Sequence, residues 1–288
     1  MSERPVPVTA PAFLAESPIW DPGTGSLLWV DIMAGDVHRL DAATGQDRVT
    51  HVNVPVGAVA ARRSGGLVLA AGVGFATLDE RAGTLGWLWA GGRGDRMNDG
   101  KCDPAGRFLA GTLTYARDPG ACALYRMEPA GQVSTLIDAV TLSNGLGWSP
   151  AGGLLYFADT PLERVDVLDY DLATGAASER RTFVDLHDVP GRPDGLTVDA
   201  DGAVWIAMAG GGSVRRYTAD GRLDLVIELP VRLVTSVTFG GDGLGDLYVT
   251  SSREGLGEAE LAGQPLAGSV FLVTGTGARG LPPNTFAG

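Results

Sequence analysis

The feature that most limits how this chain can fold is a hairpin pattern that recurs along it. Residues 192–208 read RPDGLTVDADGAVWIAM: an Asp-Gly pair, an alternating apolar run, a second Asp-Gly, then a strand-like run from Val204 to Met208. Apolar alternation on both sides of a Gly-bearing turn predicts two paired strands joined by a two-residue turn. Similar stretches begin at Glu16 (ESPIWDPGTGSLLWVD), Asn98 (NDGKCDPAGRFLAG) and Ser143 (SNGLGWSPAGGLLYFAD). The centres of the second strands fall at Trp29, Val68, Leu109, Tyr156, Trp205 and Tyr248, spaced by 39, 41, 47, 49 and 43 residues. A period of roughly 40–50 residues with several strands per unit predicts a propeller, because one unit cannot bury its own sheet faces and must stack on its neighbours. Six centres give six blades.

A third strand follows most of the second ones, as in VHRLDAATG, ALYRMEPAG and VDVLDYDLATG. Fourth, outer strands are fainter: DRVTHVNV, LGWLWAG, VSTLID, ASERRTFVD and DLVIELP. The last unit ends in SVFLVTG and a polar tail, with no outer strand of its own. The segment VPVTAPAF, residues 6–13, alternates correctly to supply it, and closing the ring this way removes an exposed edge. The expectation is an all-β fold: a six-bladed β-propeller with four-stranded blades, closed by an N-terminal strand, as one domain over residues 1–288. With 43 glycines and 17 prolines, and no sustained 3.6-residue apolar period, long helices are not expected.

Charge and motifs exclude several functions. Thirty-four acidic residues against 22 Lys and Arg give a net charge of −12, the wrong sign for nucleic acid. The N-terminus lacks a secretory apolar core, and the run from Leu67 to Leu78 is broken by glycines and too short to span a bilayer. A cytoplasmic protein with no membrane contact and no obligate protein partner is expected. Cys102 and Cys122 form neither a disulfide framework nor a metal knuckle, and read as buried thiols in a reducing compartment. The chain has no G-x-S-x-G elbow and no P-loop, and its three histidines, His38, His51 and His187, are scattered.

One polar position recurs at nearly constant phase before the second-strand centre: Glu16 by 13 residues, Asn98 by 11, Asn144 by 12 and Asp194 by 11. Gly57 and Ser236 hold that place in the other two units. The first strand of each propeller blade lines the central channel, so equal phase puts these side chains in one ring. An Asn-Gly or Asp-Gly pair by itself signals only a turn. Their coincidence in phase points instead to a set of oxygen ligands, without His or Cys, suited to Ca²⁺, Mg²⁺ or Mn²⁺ rather than structural zinc. Two carboxylates forced together without a cation would repel and raise one pKa.

At these residues the chain resembles the SMP-30/gluconolactonase/regucalcin family of six-bladed lactonases. The blocks AESPIWD, RMNDGKCDPAGRFLAGT, LSNGLGWSP, RPDGLTVDADGAVWIA and LVTSVTFGGDGLGDLYVTSSREGL carry the likeness, and the tail GSVFLVTGTGARGLPPNTFAG extends it to the end. The resemblance implies that Glu16, Asn144 and Asp194 ligate one divalent metal, with Asp194 also the acid/base. It implies that Arg96 and Asn98 contact substrate. Where the regucalcin branch has an acidic contact after its G-T-M segment, this chain reads GTLTYARD, which places Tyr115 near that spot. The implied cofactor is Ca²⁺, with Zn²⁺, Mn²⁺, Mg²⁺ and Fe²⁺ as alternatives. The implied partner is a small sugar lactone, hydrolysed to the aldonic acid. An organophosphate or aryl-ester hydrolase on the same metal, or a non-catalytic calcium-binding propeller, are the alternative readings.

Overall fold

The computed structural model describes residues 4–288 as six four-stranded antiparallel sheets set around a channel, with sequence-adjacent strands paired throughout in five of them. Blades I to VI take their inner strands from Ala15–Asp21, Val56–Ala61, Arg96–Cys102, Ser143–Trp148, Arg192–Val198 and Val234–Gly240. The six second-strand centres expected from the repeat all lie in second strands, and all are buried. They are buried because each sheet is covered on both faces. Trp205 of blade V, for example, meets Phe239 of blade VI edge-to-face at 5.3 Å, within a cluster that includes Val237, Val249 and Phe271.

Blade VI is built from both ends of the chain. Its order, from outside in, is Val6–Pro7, Phe271–Val273, Asp246–Ser251 and Val234–Gly240, with Val6 opposite Leu272 and Pro7 opposite Phe271. Backbone N–H groups of Val8 and Ala12 extend the seam to Val270 and Gly268 at 2.8 and 2.9 Å. The expected N-terminal closure is therefore present. Pro7 is tolerated because this is an edge strand, where a missing N–H breaks no central ladder.

Two details differ from the sequence reading. The hairpin of residues 192–208 turns through three residues, not two: Asp199 N–H donates to Ala203 O at 2.9 Å, around Ala200, Asp201 and Gly202. Gly202 sits at φ 84°, the left-handed residue that such a loop requires. The buried Asp199 carboxylate accepts from the N–H groups of Asp201 and Ala203, from the Trp205 indole and from Arg216, so the turn is fixed from within.

Nor is the C-terminal tail merely a polar end. It runs across the lower face of the ring as a strap. Ala200 N–H donates to Arg279 O, Asn284 Nδ2 to Cys102 O, Phe286 N–H to Ala61 O and Ala287 N–H to Gly106 O. Blades V, III and II are thereby tied together, and Phe286 is fully buried among residues of blades II and III. Among the described residues there is one α-helix, Glu258–Gly263, in the connection between the second and third strands of blade VI. No described helix is long and apolar enough to cross a membrane. Both cysteines are buried free thiols, and burial pushes the Cys102 thiol up, which leaves it unreactive.

Candidate metal centre

The site is made by a backbone irregularity repeated in every inner strand. Glu16 pairs with Val30 and Ile19 with Leu28, so three steps on the inner strand match two on its neighbour. The same single-residue excess occurs between Met97 and Gly100, Ser143 and Leu146, and Pro193 and Leu196. It recurs between Val56 and Ala58 and between Val234 and Ser236. These are β-bulges, which re-aim side chains. The Asn-Gly and Asp-Gly pairs are thus not turns but bulge positions within strands. Glycine follows the polar residue because inner strands of adjacent blades nearly touch there. A Cβ on Gly145 would lie 2.5 Å from the Asp194 carbonyl oxygen, and one on Gly195 would lie 2.0 Å from Ser236 Oγ. In blade I the place after Glu16 is taken by Ser17, held at φ 45°. Its hydroxyl lies 2.7 Å from Gly57 O and 3.0 Å from Asp99 Oδ1.

The bulges bring Glu16, Asn98, Asn144 and Asp194 into the channel as buried polar side chains. Asp194 faces the side chains of Asn144 and Glu16. Asn144 donates Nδ2 to Thr160 Oγ1 at 3.0 Å, and the Thr160 hydroxyl in turn donates to Pro193 O at 2.9 Å. This fixes the amide so that Oδ1 is the free atom: Asn144 Oδ1 and Asp194 Oδ1 are buried with no hydrogen-bond partner. Glu16 accepts from the N–H of Ser17 at 2.8 Å. Burial pushes the Asp194 carboxyl up to about 8, helped by the charge of Asp99. Burial, then Asp194 and Asp99, hold Glu16 well above its ordinary value. Carboxylates this unfavourably placed, beside an orphaned amide oxygen, fit a hard divalent cation that would supply the missing charge and bonds. Among the described residues no three Asp, Glu, His or Cys side chains are close enough to hold an ion by themselves. A cation here would also need the Asn144 amide.

Arg96 opens the inner strand of blade III at the same end. One terminal nitrogen donates to Met97 O at 3.0 Å and to Asn98 Oδ1 at 2.7 Å, while its buried Nε has no partner. Burial pulls the guanidinium down, and the charge of Glu254 leads the groups that oppose this. Asn98 donates Nδ2 to Ser143 O at 2.8 Å, so this amide also links blades III and IV. Tyr115 is 57% exposed on the loop after the second strand of blade III, its backbone N–H bonded to Asp95, and its phenol acts on Arg96 through space. His187, the histidine nearest the ring in sequence, is on the surface, paired with Glu163 at 2.9 Å.

Sequence phase missed Asp99, which is 2% exposed with an orphaned Oδ2. Alternation assigns one inward residue per pair, but the bulge buries two in succession, Asn98 and Asp99. Lys101, two residues further on, bonds Leu196 O at 2.8 Å; burial lowers its ammonium pKa, while Asp99 and Glu16 raise it. Thr160 was also missed, since nothing local shows that a residue of the next connection will orient Asn144.

Comparison with known proteins agrees with this fold. Residues 14–253 match the family model described as SMP-30/Gluconolactonase/LRE-like region. Regucalcin of Xenopus laevis is 39% identical over 284 residues, covering 96% of this chain and 95% of that protein. A crystal structure described as a calcium-binding protein, regucalcin, from Agrobacterium tumefaciens superposes with a TM-score of 0.92 at 27% identity, covering 99% of this chain and 97% of that one. A luciferin-regenerating enzyme superposes at 0.91 and 27%, covering 98% and 99%. With the family model spanning residues 14–253 and a 39% identical relative covered over 95% of its length, this chain belongs to the SMP-30/gluconolactonase/LRE-like family.

Proposed function

We propose that the chain hydrolyses a sugar lactone to the aldonic acid, with one divalent cation held by Glu16, Asn144 and Asp194. The observation that carries this reading is the pair of buried, unpartnered oxygens, Asn144 Oδ1 and Asp194 Oδ1, beside Glu16 at the mouth of the channel. A family model that names gluconolactonase supports the substrate class. When bound, the cation supplies a Lewis acid for the lactone carbonyl oxygen. Calcium suits the all-oxygen ligands, and the similar Agrobacterium structure is described as calcium-binding.

The residues divide the remaining work. Arg96 and Asn98 hold the sugar oxygens: the guanidinium has an unused Nε–H, and Asn98, braced on Ser143 O, keeps one N–H free. The Asp194 carboxylate accepts a proton from a water molecule, whose oxygen bonds to the carbonyl carbon. The ring C–O bond then breaks, and the proton passes from Asp194 to the departing ring oxygen. One water is added across one ester bond, and Asp194 returns to its starting state. Tyr115, on an exposed loop of the same blade, contributes to which sugars are accepted.

The test is a panel of five- and six-membered aldonolactones, an aryl ester and a phosphotriester, assayed with and without chelator. Lactone turnover that is lost in chelator and regained with a divalent cation supports the proposal. Preferential turnover of the phosphotriester or aryl ester would replace it with the second hydrolase. Cation binding without turnover of any substrate would leave a calcium-binding propeller.

A further inference from the structure

The opposite end of the channel holds a second chamber. It has a volume of about 290 Å³ and lies where the inner strands finish, walled by Ile19, Trp148, Val198 and Phe239 from four blades and roofed by Leu281 and Pro282 of the C-terminal strap. That is near the small end of the range for small-molecule sites, roughly 300–1,000 Å³, and mostly apolar walls with a few polar groups are their usual composition.

Its formal charge is of one sign. Among the described residues no Asp or Glu lines this chamber, although the chain carries 34, and the one charged group that does is Lys101. The Lys101 ammonium donates to Leu196 O and forms no ion-pair contact; Asp99 and Glu16 act on it only through space. An ammonium carries three donors, so two remain for a ligand. The hydroxyls of Thr197 and Thr238, also in the lining, make no side-chain hydrogen bond and can donate as well. One acceptor, Leu196 O, serves this half-buried ammonium, and a further acceptor that reaches it lowers its cost among apolar walls.

We propose that this lower chamber is a second binding site, separate from the carboxylate ring, for a small monocarboxylate with an apolar body. The carboxylate meets Lys101, with Thr197 and Thr238 as further donors, and the body packs against Trp148, Phe239 and Leu281. The strap residues form one wall, so binding also holds the strap closed.

The experiment is calorimetric titration of the full chain with benzoate, and with benzyl alcohol as the uncharged match, in chelator so that no metal at the upper mouth attracts the acid. Benzoate should bind at least about tenfold more tightly than the alcohol, the effect of a hydrogen bond to a charged group. Lys101→Met should abolish that preference. Leu281→Trp, which fills the chamber from the strap and leaves every inner-strand residue unchanged, should abolish binding of both. Arg96→Met, at the upper mouth, should leave benzoate binding unchanged. Equal affinity for acid and alcohol, benzoate binding that survives Leu281→Trp, or loss of binding in Arg96→Met would each overturn the proposal.

Discussion

Asn144 donates its Nδ2 to the Thr160 hydroxyl at 3.0 Å, and this one bond turns the amide so that Oδ1 faces the channel without a partner. Thr160 lies on the connection beyond the second strand of its blade, and its own hydroxyl is anchored on Pro193 O of the next blade. Groups that orient a metal ligand in this way commonly account for a 10–100-fold effect on metal affinity. Thr160→Val keeps the shape and removes the hydroxyl, so we expect calcium affinity to fall by roughly tenfold or more. Thr160→Ser should restore most of it. Calorimetric titration of metal into the three proteins measures this, and equal affinities would mean that Asn144 needs no support.

Asp194 is asked both to bind metal and to move a proton. Asp194→Asn retains one oxygen, so metal should bind more weakly but still saturate. The loss of a positioned base costs about 10²–10⁴ in rate, and added metal should not restore it. Asn144→Asp, which keeps an oxygen and adds charge, should bind metal at least as well as the native protein. Lactone turnover across a metal titration decides the point: near-native kcat for Asp194→Asn would reduce the carboxylate to a ligand.

Arg96 cannot ligate a cation but can donate to sugar oxygens. Arg96→Ala should therefore raise KM strongly and leave metal affinity in place, the pattern of lost substrate binding. Parallel steady-state kinetics and metal titration separate this from a structural role, in which metal affinity would fall as well.

The carboxylate ring also links stability to pH. Carboxyls whose pKa is raised on folding favour the fold while protonated. Their contribution is complete below about pH 4, the unfolded value. It is lost as pH rises through the folded pKa, about 8 for Asp194. In chelator, Tm should thus fall as pH is raised across that window. The gain in Tm on adding calcium should grow over the same window, because deprotonated ligands bind metal more tightly. A calcium increment independent of pH would mean that Glu16 and Asp194 are ionised without metal.

The C-terminal strap yields a prediction for stability. Phe286 is 2% exposed and packs with Phe75, Phe108 and Met127 of blades II and III. Phe286→Ala should cost about 3–5 kcal/mol, the usual loss for a buried Phe. Chemical denaturation measures it. A change below about 1 kcal/mol would show that the strap is held by its backbone hydrogen bonds alone.

The sequence by itself determined the repeat, and with it the number of blades, the identity of the second strands and the closure through Val6–Pro7. These follow from apolar alternation and spacing, which are local properties that recur six times. It also put Glu16, Asn144 and Asp194 at one phase, and equal phase on equivalent strands brings side chains to one axis. Only the tertiary structure decided how those residues are aimed. Alternation cannot foresee that each inner strand holds one extra residue, so it did not show that the Asn-Gly and Asp-Gly pairs are bulges and it passed over Asp99 beside Asn98. It could not foresee Thr160 behind Asn144, the strap that buries Phe286, or the chamber around Lys101. Each of these depends on contacts between blades far apart in the chain, and no local pattern records which surfaces will meet once the ring has closed.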